Sequence, residues 1–203
     1  MNDPHGGYRT YRAERMLAFS DAVMAVAITL LVLDLKLPEG VSDADLGNVL
    51  SGSVHSLGVY ALSFVVIGLL WMGHHEQFSH IPRVDGPLIW LNLFYLMTIG
   101  LIPFVTSVLS DHGSALATSL YAGTLVTTSL LSAGIWWYAC RDPQLMAADV
   151  TPAVRREGLV SPLLNGAVFA LSIVIAVTWS ASVAQWSWLL LIPAGRAAAW
   201  LDK

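Results

Sequence analysis

Asp21 lies inside the apolar stretch Met16–Leu33, where an ionisable side chain is expensive unless it is paired or reaches water. Ser20 precedes it and Arg15 stands a turn and a half upstream. A packing network of Arg15, Ser20 and Asp21 at the level of His74 and His75 is therefore expected, with ion binding by Asp21 as the competing reading. A second cluster, His74, His75, Glu76 and His80, carries side chains able to ligate metal. A membrane di-iron or zinc enzyme needs several separated histidine boxes, or an HExxH spacing, to complete a coordination shell. This run stands alone, with His5, His55 and His112 at unrelated positions. A hydrogen-bond network joining the first two helices is expected there, without a metal. Cys140 is the single cysteine, so no intramolecular disulfide or Cys-rich metal centre can form. Neither a cofactor nor an enzymatic reaction is implied.

The elements that must position these residues are membrane helices. Of 203 residues, 56% are hydrophobic and 12% charged, against about 25% charged in an average soluble domain, and mean hydropathy is +0.64. A chain of this length buries only about 70% of its unfolded surface in water, so the excess implies bilayer hydrocarbon as a second solvent. Six apolar segments are predicted to span it: Met16–Leu33, Val54–Met72, Leu88–Leu109, Ala115–Ala139, Leu163–Trp179 and Val183–Leu201. About 20 helical residues cross a core ~30 Å thick, and runs such as Leu62–Leu70 lack the alternation of a β-barrel strand. Trp71, Trp90, Trp136, Trp137, Trp179, Trp186, Trp188 and Trp200 all fall near proposed span ends, the level that indole prefers. The expected architecture is all-α, one membrane domain over residues 1–203 with a short N-terminal segment 1–14 ahead of the first helix.

Basic residues orient the spans, because Lys and Arg in short loops stay on the cytoplasmic side. With both termini inside, nine of the ten face the cytoplasm and only Lys36 lies outside, beside the acidic loop residues Glu39, Asp43 and Asp45. A plasma-membrane protein with cytoplasmic N- and C-termini is expected. Ala25-Val26-Ala27 fits a signal-peptidase pattern but sits within the apolar run, so the first helix is read as retained. The net charge of −4 argues against nucleic acid as a partner.

On a helical wheel Ala22, Val26, Thr29 and Leu33 fall in one narrow arc, Leu30 lies at its margin, and Asp21 points about 100° away. Such a stripe is ordinarily a packing face, and a lone Thr29 hydroxyl ordinarily bonds the carbonyl of Ala25. The run Arg15-Met-Leu-Ala-Phe19-Ser20-Asp21, with Trp71, His74, His75 and Phe78 on the second helix, resembles the RxxxFSD signature of the transmembrane protein 175 family of potassium channels. The resemblance implies a homotetramer of the prokaryotic single-repeat type, its central pore lined by helix one. Its partners would be K⁺ ions and membrane lipids. It further implies a hydrophobic pore constriction at Val26, Leu30 and Leu33, with Val26 in place of the usual isoleucine, and ion selectivity at Thr29. Arg15, Phe19, Ser20, Asp21, Trp71, His74 and His75 would form the structural network. The expected function is a potassium-preferring cation channel with no TVGYG filter. The alternative is a small secondary transporter, proton-coupled through Asp21, with Pro103 and Pro193 as helix breakers.

Overall fold

A computed structural model of the chain describes residues 11–36 and 40–188. Helix α1 (Glu14–Leu30) runs into a 3-10 turn, Leu31–Asp34, and is followed by the short α2 (Leu46–Gly52). Three long helices then succeed one another, α3 (Val54–Ser79), α4 (Gly86–His112) and α5 (Ala115–Arg141). Helices α6 (Pro152–Thr178) and α7 (Ala181–Ser187) complete the described chain. Five stretches are long and apolar enough to cross a membrane: Glu14–Asp34, Val54–Ser79, Gly86–His112, Ala115–Arg141 and Pro152–Thr178. Six are expected from the sequence. The sixth, Val183–Leu201, begins within α7, and from residue 189 onward it lies outside the described residues, with Pro193, Arg196 and Trp200.

The helix ends follow local chemistry. Asp85 caps α4, its Oδ1 accepting from the Leu88 N–H at 2.9 Å with Pro87 in the first turn, and Gly113 stops the helix at φ 52°, where a side chain would be strained. Ser114 caps α5 through Ala117 N–H, and Thr151-Pro152 starts α6. Helix α6 begins eleven residues before the predicted Leu163 and takes up Arg155, Arg156 and Glu157, which lie outside the predicted span. Hydropathy marks where a helix enters hydrocarbon, whereas its first turn is set by cap and proline chemistry. Helix α3 likewise continues past Met72 to Ser79.

One end of the bundle is tied together by backbone. The strands β1 (Tyr11–Arg12) and β2 (Arg83–Val84) pair antiparallel, Tyr11 opposite Val84 and Arg12 opposite Arg83. The Ala13 N–H donates to the Pro82 carbonyl at 3.2 Å, and Ala147 N–H to the His80 carbonyl at 3.0 Å. The start of α1, the α3–α4 turn and the α5–α6 loop thus share one end, which carries Arg12, Arg83, Arg141, Arg155 and Arg156, while Lys36 lies at the other.

Helix α4 is central. Half of its most apolar stretch is buried, against 22% for α1, α3 and α6, and it packs on α1, α3 and α5. Apolar surface gains little by leaving lipid, so hydroxyl bonds and close backbone approach carry much of the specificity here. Thr106 donates to Ser63 at 2.9 Å, Ser63 and Tyr121 share a bond of 3.1 Å, and Thr128 donates to Thr98 at 2.9 Å. Inside α6, Pro162 has no N–H for the carbonyl four residues back. That carbonyl, of Gly158, instead accepts from Gln77 Nε2 on α3 at 3.4 Å, and Gln77 Oε1 accepts from Ser132 of α5 at 3.1 Å. Gly158 itself lies against Trp136, where a Cβ would come within 2.3 Å of the indole. We therefore expect Gly158→Ala to displace the ring and destabilise the protein by about 1–3 kcal/mol, measured as a lower melting temperature of the intact protein in detergent.

Candidate functional site

Helix α1 presents two opposed faces. Ser20, Met24, Ala27 and Leu31 are buried against the rest of the chain. Ala22, Val26, Thr29 and Leu33 face outward, with Val26 56% and Leu33 62% exposed, and Leu30 beside them at 42%. The four residues that the wheel grouped therefore have no covering within one chain. A shallow apolar groove runs along this side, lined by Ala22, Val23, Val26, Ala27 and Leu30 of α1 and by Gly100 of α4. Thr29 is the one hydroxyl of the outward stripe, and its proton is shared between the carbonyls of Ala25 and Val26, both at 2.9 Å. With the proton held by backbone, the oxygen offers only lone pairs to whatever faces it.

The polar side of α1 is organised by a relay of hydrogen bonds. Ser20 Oγ donates to the Met16 carbonyl at 2.9 Å and accepts from Asn92 Nδ2 at 2.9 Å. Asn92 Oδ1 then faces His74 Nε2 at 2.9 Å. Because Ser20 spends its proton on Met16, it must accept from the Asn92 amide, so Oδ1 accepts in turn and His74 carries its hydrogen on Nε2. All three side chains are buried, and the His74 ring stacks on Tyr95 with centroids 5.2 Å apart. The relay joins α1, α4 and α3.

Asp21 is half-buried, and its Oδ1 accepts from the Trp71 indole N–H at 2.9 Å. Arg15 is not its partner, contrary to expectation. Six residues at about 100° each place Arg15 some 120° round the helix from Asp21. Among the described residues the ion pairs are Arg12–Glu14 at 3.7 Å and Glu76–His80 at 3.6 Å. Phe19 is exposed, and His75 stands on the outside of α3 with its ring 5.8 Å from that of Trp71. The histidine cluster is thus divided between His74 inside the bundle and His75, Glu76 and His80 around its rim. Among the described residues no three His, Cys, Asp or Glu side chains are placed to hold a metal ion.

Asn92, the centre of the relay, is absent from the sequence-based site. Its signal was a lone amide within Leu88–Leu109, which in hydrocarbon must find a partner. Asn92→Ala strands the His74 N–H and removes the donor to Ser20, at about 1–3 kcal/mol for a buried unsatisfied group. Trp71→Phe should destabilise less, since half-buried Asp21 can be hydrated. Thermal unfolding of the two purified variants checks the ranking.

Comparison with known proteins places this geometry. The family profile described as endosomal/lysosomal potassium channel TMEM175 matches residues 15–103, which include the buried relay and the exposed stripe of α1. A potassium channel of Streptomyces collinus is 38% identical over 147 residues, 70% of this chain and 71% of that protein. A potassium channel of Chamaesiphon minutus is 31% identical over 170 residues, covering 79% and 84%. The crystal structure of a lysosomal potassium-selective channel TMEM175 homolog from Chamaesiphon minutus superposes with a TM-score of 0.73 at 28% identity, over 92% of this chain and 97% of that one. The family is one of ion channels, not enzymes. With relatives of this identity and coverage, a matching signature in α1 and a shared helical fold, the chain belongs to the TMEM175 family of channels.

Proposed function

We propose that this protein is a potassium-preferring cation channel of the plasma membrane, in which four copies surround a central pore lined by α1. The observation that carries this reading is the outward face of α1: an apolar stripe broken by one hydroxyl, left uncovered by its own chain while the opposite face is locked to α3 and α4. The names of the Streptomyces and Chamaesiphon relatives support potassium as the ion. In a four-fold assembly Val26, Leu30 and Leu33 each become a ring of apolar side chains, and such a ring excludes water from a narrow passage until the helices separate. Thr29 becomes a ring of four oxygens whose protons are already bound to backbone, so their lone pairs can replace part of a cation's hydration shell. Ser20, Asp21, Trp71 and His74 act behind the pore by holding the rotation of α1, with Arg15, Phe19 and His75 flanking them. Both termini are assigned to the cytoplasm, since the arginine-bearing end of the bundle is then inside.

Flux into liposomes, K⁺ against Na⁺ and with an imposed proton gradient, tests the function. Passive movement down the K⁺ gradient is expected, and saturable proton-coupled uptake would point instead to transport through Asp21. Val26→Asn or Leu30→Asn should wet the constriction and raise basal flux several-fold, whereas Thr29→Val should lower the preference for K⁺ over Na⁺. Ile28→Asn is the control. Ile28 packs against the core, so this change should harm stability without opening the pore. If tetrameric Val26→Asn, Leu30→Asn and Thr29→Val conduct like wild type, α1 does not form the narrow passage.

Orientation is tested separately. In a Cys140→Ser background, cysteines at Ser42 and Asp111 should react with impermeant maleimide on intact cells. External labelling of Arg155→Cys would reverse the topology.

A further inference from the structure

Helices α5 and α6 share an outward face whose chemistry changes at the arginine-bearing end. Helix α6 packs mainly on α5, whereas α1 packs on α3 and α4, so this face is separate from the stripe of α1. Along α5 the exposed residues Leu130, Trp137 and Arg141 follow helical spacing, and along α6 Leu171, Leu164, Val160 and Arg156 do the same. The approaches of Gly166 to Ser129 and of Gly158 to Trp136 set the two helices antiparallel, which brings Arg156 to the level of Trp137 and Arg141. Two apolar stripes therefore end side by side in arginine. The Arg141 guanidinium sits 3.4 Å above the Trp137 ring, and Arg155 Nη1 donates to the Cys140 carbonyl at 3.3 Å. None of Arg141, Arg155 and Arg156 forms an ion pair among the described residues. The nearby carboxylates are engaged elsewhere or stand apart: Asp142 Oδ1 accepts from the Gln144 N–H at 2.8 Å, Glu157 lines the cavity between α3, α5 and α6, and Asp149 stands in the loop. The first turn of α6 has no acidic residue, so the helix dipole adds to the positive charge there.

We propose that this face holds the headgroup of an anionic phospholipid of the inner leaflet. The acyl chains lie along the two apolar stripes, and the Trp137 indole sits at the headgroup level that it prefers. Arg141 and Arg156 donate to the phosphate oxygens, in the paired geometry that a guanidinium offers. Stacking on Trp137 leaves the edge N–H groups of Arg141 free for this. A zwitterionic lipid would bring its own ammonium against the same arginines, so a headgroup of net negative charge is favoured. A soluble phosphate would meet only exposed arginines, where charge pairs are weak, and would leave the apolar stripes unused. The leaflet follows from the cytoplasmic assignment above, but the site itself does not depend on α1 lining the pore.

Native mass spectrometry of the intact purified protein in neutral detergent tests the proposal by counting retained lipid, with dioleoylphosphatidylglycerol as the probe and dioleoylphosphatidylcholine as its zwitterionic counterpart. Phosphatidylglycerol is expected to bind about tenfold more tightly, and glycerophosphate, which has the charge without the chains, should not displace it. Arg141→Gln/Arg156→Gln should abolish the preference. Should that pair not fold, Arg156→Gln alone, at an exposed side chain, should reduce it severalfold. Arg12→Gln/Arg83→Gln removes the same charge from the same end, at exposed positions of the β1–β2 pair, and should leave the preference intact. Equal retention of the two lipids would overturn the proposal, as would a preference that survives in the folded α5–α6 variants. Equal loss in the β1–β2 variant would overturn it too, by showing attraction to the whole end of the bundle. Displacement by glycerophosphate would assign the arginines to a soluble anion instead of a lipid.

Discussion

The hydrogen bonds from Asn92 to Ser20 and His74 are the constraint on which the arrangement of α1 depends. A helix surrounded by lipid and apolar neighbours has little to fix its rotation about its own axis, because one apolar face packs nearly as well as another. A buried amide between a hydroxyl and an imidazole removes that freedom, since any rotation strands polar groups in a medium with no water to replace the lost bonds. Once Ser20 is turned toward α4, Met24, Ala27 and Leu31 follow it inward by helical periodicity, and Ala22, Val26, Thr29 and Leu33 must face out. The proposed ion path and the buried network are therefore two consequences of one rotation.

The other side of the bundle uses a missing hydrogen bond in a similar way. Pro162 leaves the Gly158 carbonyl without its helical donor, and Gln77 from α3 and Ser132 from α5 meet at that point. The glycine lets Trp136 approach α6 more closely than any side chain would allow. Together they join α3, α5 and α6 beside a cavity whose lining includes His74. His74 thus belongs to both halves of the protein. Its Nε2 positions α1 through Asn92, and the residue helps to line the space between α3, α5 and α6.

Much was legible in the one-dimensional pattern. Apolar length identified the five spans found among the described residues, and the RxxxFSD run with Trp71, His74 and His75 pointed to the family. The wheel grouped Ala22, Val26, Thr29 and Leu33 correctly because angular spacing on a helix is a property of the backbone alone. The bond from Thr29 to the Ala25 carbonyl was foreseeable for the same reason, since both groups lie on one turn.

Contacts between helices were not legible, because they depend on crossing angles and axial registers that periodicity does not carry. Only the tertiary structure decided that Asp21 meets Trp71 and not Arg15, and that a lone asparagine on α4 closes the relay. It also decided that the polar run before Leu163 continues α6 to Pro152, where Gly158 and Gln77 come together. Hydropathy reports where a chain sits relative to lipid, and helical spacing reports which residues share a face. The partner each face meets is set by how the helices pack, which is why the stripe on α1 could be read from the sequence while the bonds that aim it could not.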